Sequence, residues 1–128
     1  MKLLLDTHTF LWLVTEAEPV PPRALGAYHD RRNEVLLSVV SAWEIQIKLQ
    51  IGKLKLEDPL DVVIATEQQR HNVRILPVAL QHVFELGKLP LHHRDPFDRL
   101  IVAQAIAEQA KLVTADPELS KYPVEILW

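Results

Sequence analysis

Short aliphatic runs alternate along the chain with longer stretches whose apolar residues recur at helical spacing. Leu3–Leu5, Val35–Leu37, Val73–Leu76, Leu112–Val113 and Val124–Leu127 are strand-sized and mostly aliphatic. Between them, roughly Pro22–Arg31, Ser41–Ile51, Pro59–Arg70, Leu80–Gly87 and Phe97–Ala110 have helix lengths, and a shorter helix starting near Thr9 carries Phe10–Val14. Strands alternating with helices imply crossover units. The expected fold is therefore α/β, a single domain over residues 1–128 with a parallel sheet of four to five strands and helices on both faces. Prolines punctuate this pattern, with Pro59, Pro96 and Pro117 placed for the first turns of helices.

One stretch carries two periods. Glu44–Ile51 alternates apolar and polar residues as a strand does, yet Trp43, Ile47 and Ile51 share one helical stripe and Gly52 stands where a helix ends. Glu, Gln, Lys and Leu favour helix, and Ser41 with Glu44 spells a capping box. The expectation is a helix capped by Ser41.

Composition narrows the chemistry. The 128 residues are 48% hydrophobic and 24% charged, enough for one well-buried core. With 14 Lys+Arg against 17 Asp+Glu the net charge is −3, so any nucleic-acid contact needs a local basic patch or a bound cation. The absence of Cys excludes a disulfide scaffold, a thiolate nucleophile and a Cys-based metal site. Met1–Leu5 and Phe10–Val14 superficially suggest a secretion signal. Asp6 and His8 interrupt that core, Ala17-Glu18-Pro19 is a poor cleavage site, and nothing else approaches a membrane span. The expectation is a soluble, cytoplasmic protein with its native start.

Four acids fall where strands give way to helices. Asp6 follows the first strand, Glu44 lies early in the helix after the second, Asp98 opens the helix Phe97–Ala110, and Asp116 follows Leu112-Val113-Thr114. In an open parallel sheet, ligands bind outside the carboxyl ends of the strands, so all four acids belong to that edge. Each also has a plain structural reading. Glu44 completes a capping box, Asp95 and Asp116 each precede a proline as N-caps, Asp98 sits at a positive helix end, and Asp6 caps the first helix. Together they would repel at neutral pH unless a cation lay between them. Oxygen ligands without Cys or a metal-spaced His pair favour a hard divalent ion, Mg²⁺ or Mn²⁺, which can hold a phosphate and activate a water.

The other candidates divide between local structure and function. His92-His93 read as a solvated loop pair, His8 as second to Asp6 or merely local, and Trp12 and Trp43 as core or interface positions rather than base-stacking platforms. Lys48 stands four residues after Glu44, the spacing of a helix-surface ion pair. Lys48, Lys53, Lys55, Arg94 and Arg99 are candidates for a phosphate-steering patch.

Leu4-Leu5-Asp6-Thr7-His8, Ser38-x-x-Ser41-x-Trp43-Glu44-Ile45, Asp95-Pro96-Phe97-Asp98-Arg99-Leu100-Ile101 and Leu112-Val113-Thr114-Ala115-Asp116 resemble the PIN-domain ribonucleases, in that order and over nearly the whole chain. Among them the resemblance is to the VapC-type toxins of bacterial and archaeal toxin–antitoxin pairs. It implies a PIN-like domain and a Mg²⁺- or Mn²⁺-dependent endoribonuclease. Asp6, Glu44, Asp98 and Asp116 match the family's acidic quartet, with Asp6 and Asp98 as direct metal ligands and Glu44 and Asp116 completing the site directly or through water. Thr114 matches a small hydroxyl that supports it. The implied partners are an RNA substrate, a cognate antitoxin that inserts a segment over the site, and a second copy in a homodimer, with Phe10–Val14 and Trp128 as candidate contact surfaces.

Two other classes compete with this expectation. A receiver-type signalling module needs an acidic pair after strand one, an Asp after strand three and a Lys near the end of strand five. Here Asp6 stands alone, strand three ends in Leu76-Pro77, and the last strand has no Lys. A catalytically inactive, protein-binding PIN domain has no reason to keep four mutually repelling acids.

Overall fold

The computed structural model describes residues 1–92 and 95–128. His93 and Arg94, which enter the loop-pair and steering-patch expectations, lie outside the described residues. The chain runs β1 (Lys2–Leu5), α1 (Thr7–Thr15), α2 (Pro22–His29), β2 (Glu34–Ser38), α3 (Val39–Gln50), α4 (Leu60–His71), β3 (Arg74–Leu76), α5 (Leu80–Leu86), α6 (Pro96–Ala107), β4 (Lys111–Val113), a 3₁₀ turn (Pro117–Lys121) and β5 (Ile126–Leu127). No helix among the described residues is long and apolar enough to cross a membrane.

The five strands form one sheet in the order β3-β2-β1-β4-β5, and every neighbouring pair is parallel. Leu4 pairs with Leu36 on one side and Leu112 on the other, which puts β1 at the centre. Strand side chains alternate between faces, so continuous Leu runs feed two cores. Leu4, Leu36 and Leu112 point into one core, with Ile101, Val102 and Ala105 of α6. Leu3, Leu5, Val35 and Leu37 point into the other, with Phe10 of α1, Tyr28 of α2 and Ile45 of α3.

That strand order creates a topological switch. The chain moves outward from β1 through β2 to β3, then returns to place β4 on the opposite side of β1. Helices leaving β1 and β4 diverge to opposite faces, and a crevice opens between the two strand ends. Asp6 and Thr114 stand at those ends.

The early part of α3 departs from expectation. Ser38, not Ser41, is the N-cap. It leaves β2 in an extended conformation and its hydroxyl accepts the Val40 N–H at 3.0 Å, so the helix begins three residues earlier than the capping box suggests. Ser41 is then inside the helix, and Glu44 is too far along to cap it. The Trp43–Ile47–Ile51 stripe also turns outward. Trp43 and Ile51 are 61% and 58% exposed, while Val40, Ser41, Glu44 and Ile45 face inward. The helix nonetheless ends as its sequence indicates, with Gly52 at φ +74°.

A candidate acidic site at the sheet's carboxyl edge

Asp6 is the N-cap of α1 and only 5% exposed. Its Oδ1 accepts the Thr9 N–H at 2.7 Å, and its Oδ2 accepts a short hydrogen bond from the Thr114 hydroxyl. Thr114 Oγ1 in turn accepts the Asp116 N–H at 3.1 Å, while Asp6 N–H donates to Val113 C=O at 3.1 Å. The ends of β1 and β4 are thus locked together through the Asp6 carboxylate. A carboxylate has about four acceptor positions, and these two donors leave the remainder available to a ligand.

Asp98 and Asp116 reach the same place from other elements. Asp95 caps α6, its Oδ1 accepting from Phe97 N–H at 2.9 Å and Asp98 N–H at 3.2 Å, with Pro96 at the first helical position. That places Asp98 in the first turn of α6. Asp116 caps the 3₁₀ turn, accepting the Glu118 N–H at 2.9 Å. Asp6, Asp98 and Asp116 line one cavity of about 310 Å³, together with His8, Trp12 and Ala115.

Glu44 is placed differently. It is buried, and its Oε1 accepts from the Thr7 hydroxyl at 2.7 Å, while Thr7 Oγ1 also contacts Ser41 Oγ at 3.0 Å. Lys48 Nζ lies 3.5 Å from Oε2. Glu44 does not line the cavity. It is joined to it through Thr7, the residue next to Asp6.

Three carboxylates around one cavity repel each other, and the structure offsets part of that cost locally. Each stands at the N-terminal end of a helical segment, where unsatisfied N–H groups favour negative charge. Among the described residues, the polar side chains lining the cavity are the carboxylates of Asp6, Asp98 and Asp116, the His8 imidazole and the Trp12 indole. Among the described residues no three His, Asp or Glu side chains gather closely enough to form a ready-made metal cage. That donor chemistry fits a hard divalent ion which keeps several of its own waters, as Mg²⁺ does, better than a fully dehydrated structural ion.

None of Lys48, Lys53, Lys55 or Arg99 lines the cavity. Arg99 instead donates to the Pro90 carbonyl at 3.3 Å, and Lys48 makes the expected helix-surface pair with Glu44. Trp12 is half-buried and shares the acidic cavity rather than lying within the core. Trp43 is exposed, its ring 5.0 Å from that of Phe97. Thr7 was not singled out by sequence, and Trp12 was expected in the core or an interface rather than at the cavity. Thr7 gave one signal, a hydroxyl directly after a strand-end Asp, and Trp12 gave another, a position four residues after His8 on α1.

Comparison with known proteins adds the family context. The family model described as "PIN domain" matches residues 3–125. No curated protein matches the sequence. Among solved structures, the chain is similar to VapBC2 from Rickettsia felis bound to a DNA fragment from their promoter, at 20% identity with all of both chains covered and a TM-score of 0.75. It is also similar to DNA-bound VapBC from Salmonella typhimurium, at 18% identity over 98% of this chain and 96% of that one, TM-score 0.71. FitAcB from Neisseria gonorrhoeae follows at 18% identity over 97% and 95%, TM-score 0.63. At these identities the likeness is one of fold.

Proposed function

The chain belongs to the PIN domain family, and on that premise we propose that it is a divalent-metal-dependent endoribonuclease that hydrolyses RNA phosphodiester bonds. The observation that carries this reading is the single cavity lined by Asp6, Asp98 and Asp116 at the switch point between β1 and β4. PIN domains are nucleases, and among the described residues no Ser, Thr or Lys side chain lines the cavity, which supports water as the attacking group.

Asp6 and Asp98 are the residues that would hold Mg²⁺ or Mn²⁺, with Asp116 beside them. Bound there, such an ion supplies positive charge to the scissile phosphate and lowers the pKa of a coordinated water. The chain's own residues fix the geometry. Thr9 N–H and the Thr114 hydroxyl hold the Asp6 carboxylate in one orientation. The Asp95 cap sets the first turn of α6 and so the position of Asp98. Thr7 and Lys48 hold Glu44 behind Asp6, where its negative charge adds to the field without facing the cavity.

Several solved structures of similar fold are VapBC or FitAB assemblies, which supports assigning this chain the toxin role in a toxin–antitoxin pair. Its partners would be an RNA substrate, a cognate antitoxin protein and a second copy of itself, in the cytoplasm. The test is a mixed pool of structured and single-stranded RNA incubated with the purified protein in Mg²⁺, in Mn²⁺ and in EDTA. Cleavage in either metal that EDTA abolishes supports the reading. RNA left intact in both metals, with no Mn²⁺ uptake by calorimetry, contradicts it.

A further inference from the structure

Resting on the nuclease reading above, we propose that Gln104 is a positioning residue for the metal site. Its amide ties α6 to the strand frame that carries Asp6 and so fixes where Asp98 stands. Gln104 is fully buried in the last turn of α6. It follows Asp98 by six residues, about 9 Å along the helix at 1.5 Å per residue. Its Oε1 accepts the Ser38 hydroxyl, while its Nε2 donates to the Pro77 carbonyl at 3.3 Å and lies 3.4 Å from His82 Nδ1. Ser38 ends β2, Pro77 directly follows β3, and His82 belongs to α5.

The register of the sheet carries this tie to Asp6. Leu5 of β1 pairs with Leu37 of β2, so Asp6 and Ser38 follow side by side on neighbouring strands. Ser38 pairs in turn with Leu76, the residue before Pro77. A continuous path thus runs from Asp6 across to Ser38, through the Gln104 amide and back along α6 to Asp98. Core packing alone does not supply it. Ile101, Val102 and Ala105 bury apolar surface against Leu4, Leu36 and Leu112, and that attraction is non-directional. It holds α6 on the sheet but tolerates small slides and rotations, the more so because Ala103 and Ala105 have little side chain to interlock. Hydrogen bonds weaken steeply as they bend, so a buried amide bonded at the ends of two strands fixes both rotation and height. The Asp95 cap is local to the helix and sets its first turn only. An ion such as Mg²⁺, which demands near-octahedral geometry, penalises any error in the spacing of carboxylates on separate elements.

The experiment measures Mn²⁺ affinity by calorimetry and cleavage of a single-stranded RNA in Mn²⁺. Wild type is compared with Gln104→Met, Ser38→Ala and Tyr28→Phe, each checked for cooperative unfolding in urea. Met keeps the length of Gln without its amide. Ser38→Ala removes the same tie from the side of the sheet and decides the point should Gln104→Met fail to fold. Tyr28→Phe loses a buried hydrogen bond on the opposite face of the sheet and controls for lost stability. Gln104→Met is expected to raise the Mn²⁺ Kd about 10-fold and to lower kcat by a similar factor, with KM for RNA within about threefold, as for groups that orient metal ligands. Ser38→Ala should move Kd and kcat in the same direction, and Tyr28→Phe should move neither. Equal Mn²⁺ Kd in wild type and the folded tie variants would overturn the proposal and leave the nuclease reading standing. So would an equal rise in Tyr28→Phe, which would assign the effect to stability alone. A wild type that takes up no Mn²⁺ would overturn both.

Discussion

Asp6 performs two tasks with one carboxylate. It caps α1 and closes β1 onto β4 through Thr114, and the same group is offered to the cavity. Asn serves as an N-cap about as well as Asp, so the capping role and the charge can be separated by a single substitution. Tyr28 shows the converse, a polar group with no part in the site whose consequences are entirely for stability. It is 4% exposed, and its hydroxyl donates to Glu67 Oε1 at 2.6 Å. Burial first, and the bond and charge of Glu67 after it, push the phenol far above its ordinary value. The folded state therefore keeps the proton that the unfolded chain loses above about pH 10. The stability this contributes is complete below that pH and is lost as pH rises past it toward the folded value. Tyr28→Phe should lower stability near neutral pH by about 1–2 kcal/mol. It should also flatten the fall in urea midpoint between pH 9 and 11 relative to wild type, which a denaturation series across that range would show.

Helices α3 and α6 carry Glu44 and Asp98, and a buried polar network sets them side by side. Ser38, the cap of α3, donates its hydroxyl to Gln104 Oε1 in the last turn of α6, while Gln104 Nε2 donates to the Pro77 carbonyl at 3.3 Å. Beside them the buried His82 accepts the Ala79 N–H on Nδ1 at 2.9 Å. Its proton is therefore on Nε2, facing Glu108 Oε2 at 2.9 Å. Gln104→Leu leaves the Ser38 hydroxyl and the Pro77 carbonyl without their partner. Unfolding in urea should show a loss of about 2–6 kcal/mol, since each of the two buried groups left unsatisfied costs about 1–3 kcal/mol. Asp95-Pro96 and Asp116-Pro117 were legible in the sequence because cap and proline are adjacent and local. The start of α3 was misjudged because Ser38 and Ser41 both qualify as caps, and only the point where β2 stops hydrogen bonding decides between them. Gln104 and His82 gave no local signal. Their partners are 66 and 26 residues away, a pairing only the tertiary fold creates.

The architecture itself was written in the alternation of Leu-rich runs with helix-length segments, because a central parallel strand must be apolar on both faces. The sheet's order was not. Nothing local in Leu112–Val113 shows that β4 pairs with β1 rather than extending the sheet beyond β3, yet that return makes the crevice where Asp6, Asp98 and Asp116 meet. The acids were legible as strand-end residues. That Glu44 stands behind Thr7 instead of facing the cavity follows from the pitch of α3 and its earlier start. The central claim is that this cavity cuts RNA with a metal held by its carboxylates. Its most direct test is the rate at which Asp6→Asn cleaves a single-stranded RNA in saturating Mn²⁺, relative to wild type, with both proteins shown to be folded by cooperative unfolding in urea. The account predicts a loss of at least about 100-fold, the scale of removing one preorganised transition-state contact. It also predicts a folded protein, because the cap survives and relief of like-charge repulsion offsets the Thr114 hydroxyl bond that the Asn amide nitrogen does not accept. A folded Asp6→Asn protein that cleaves at the wild-type rate would contradict it.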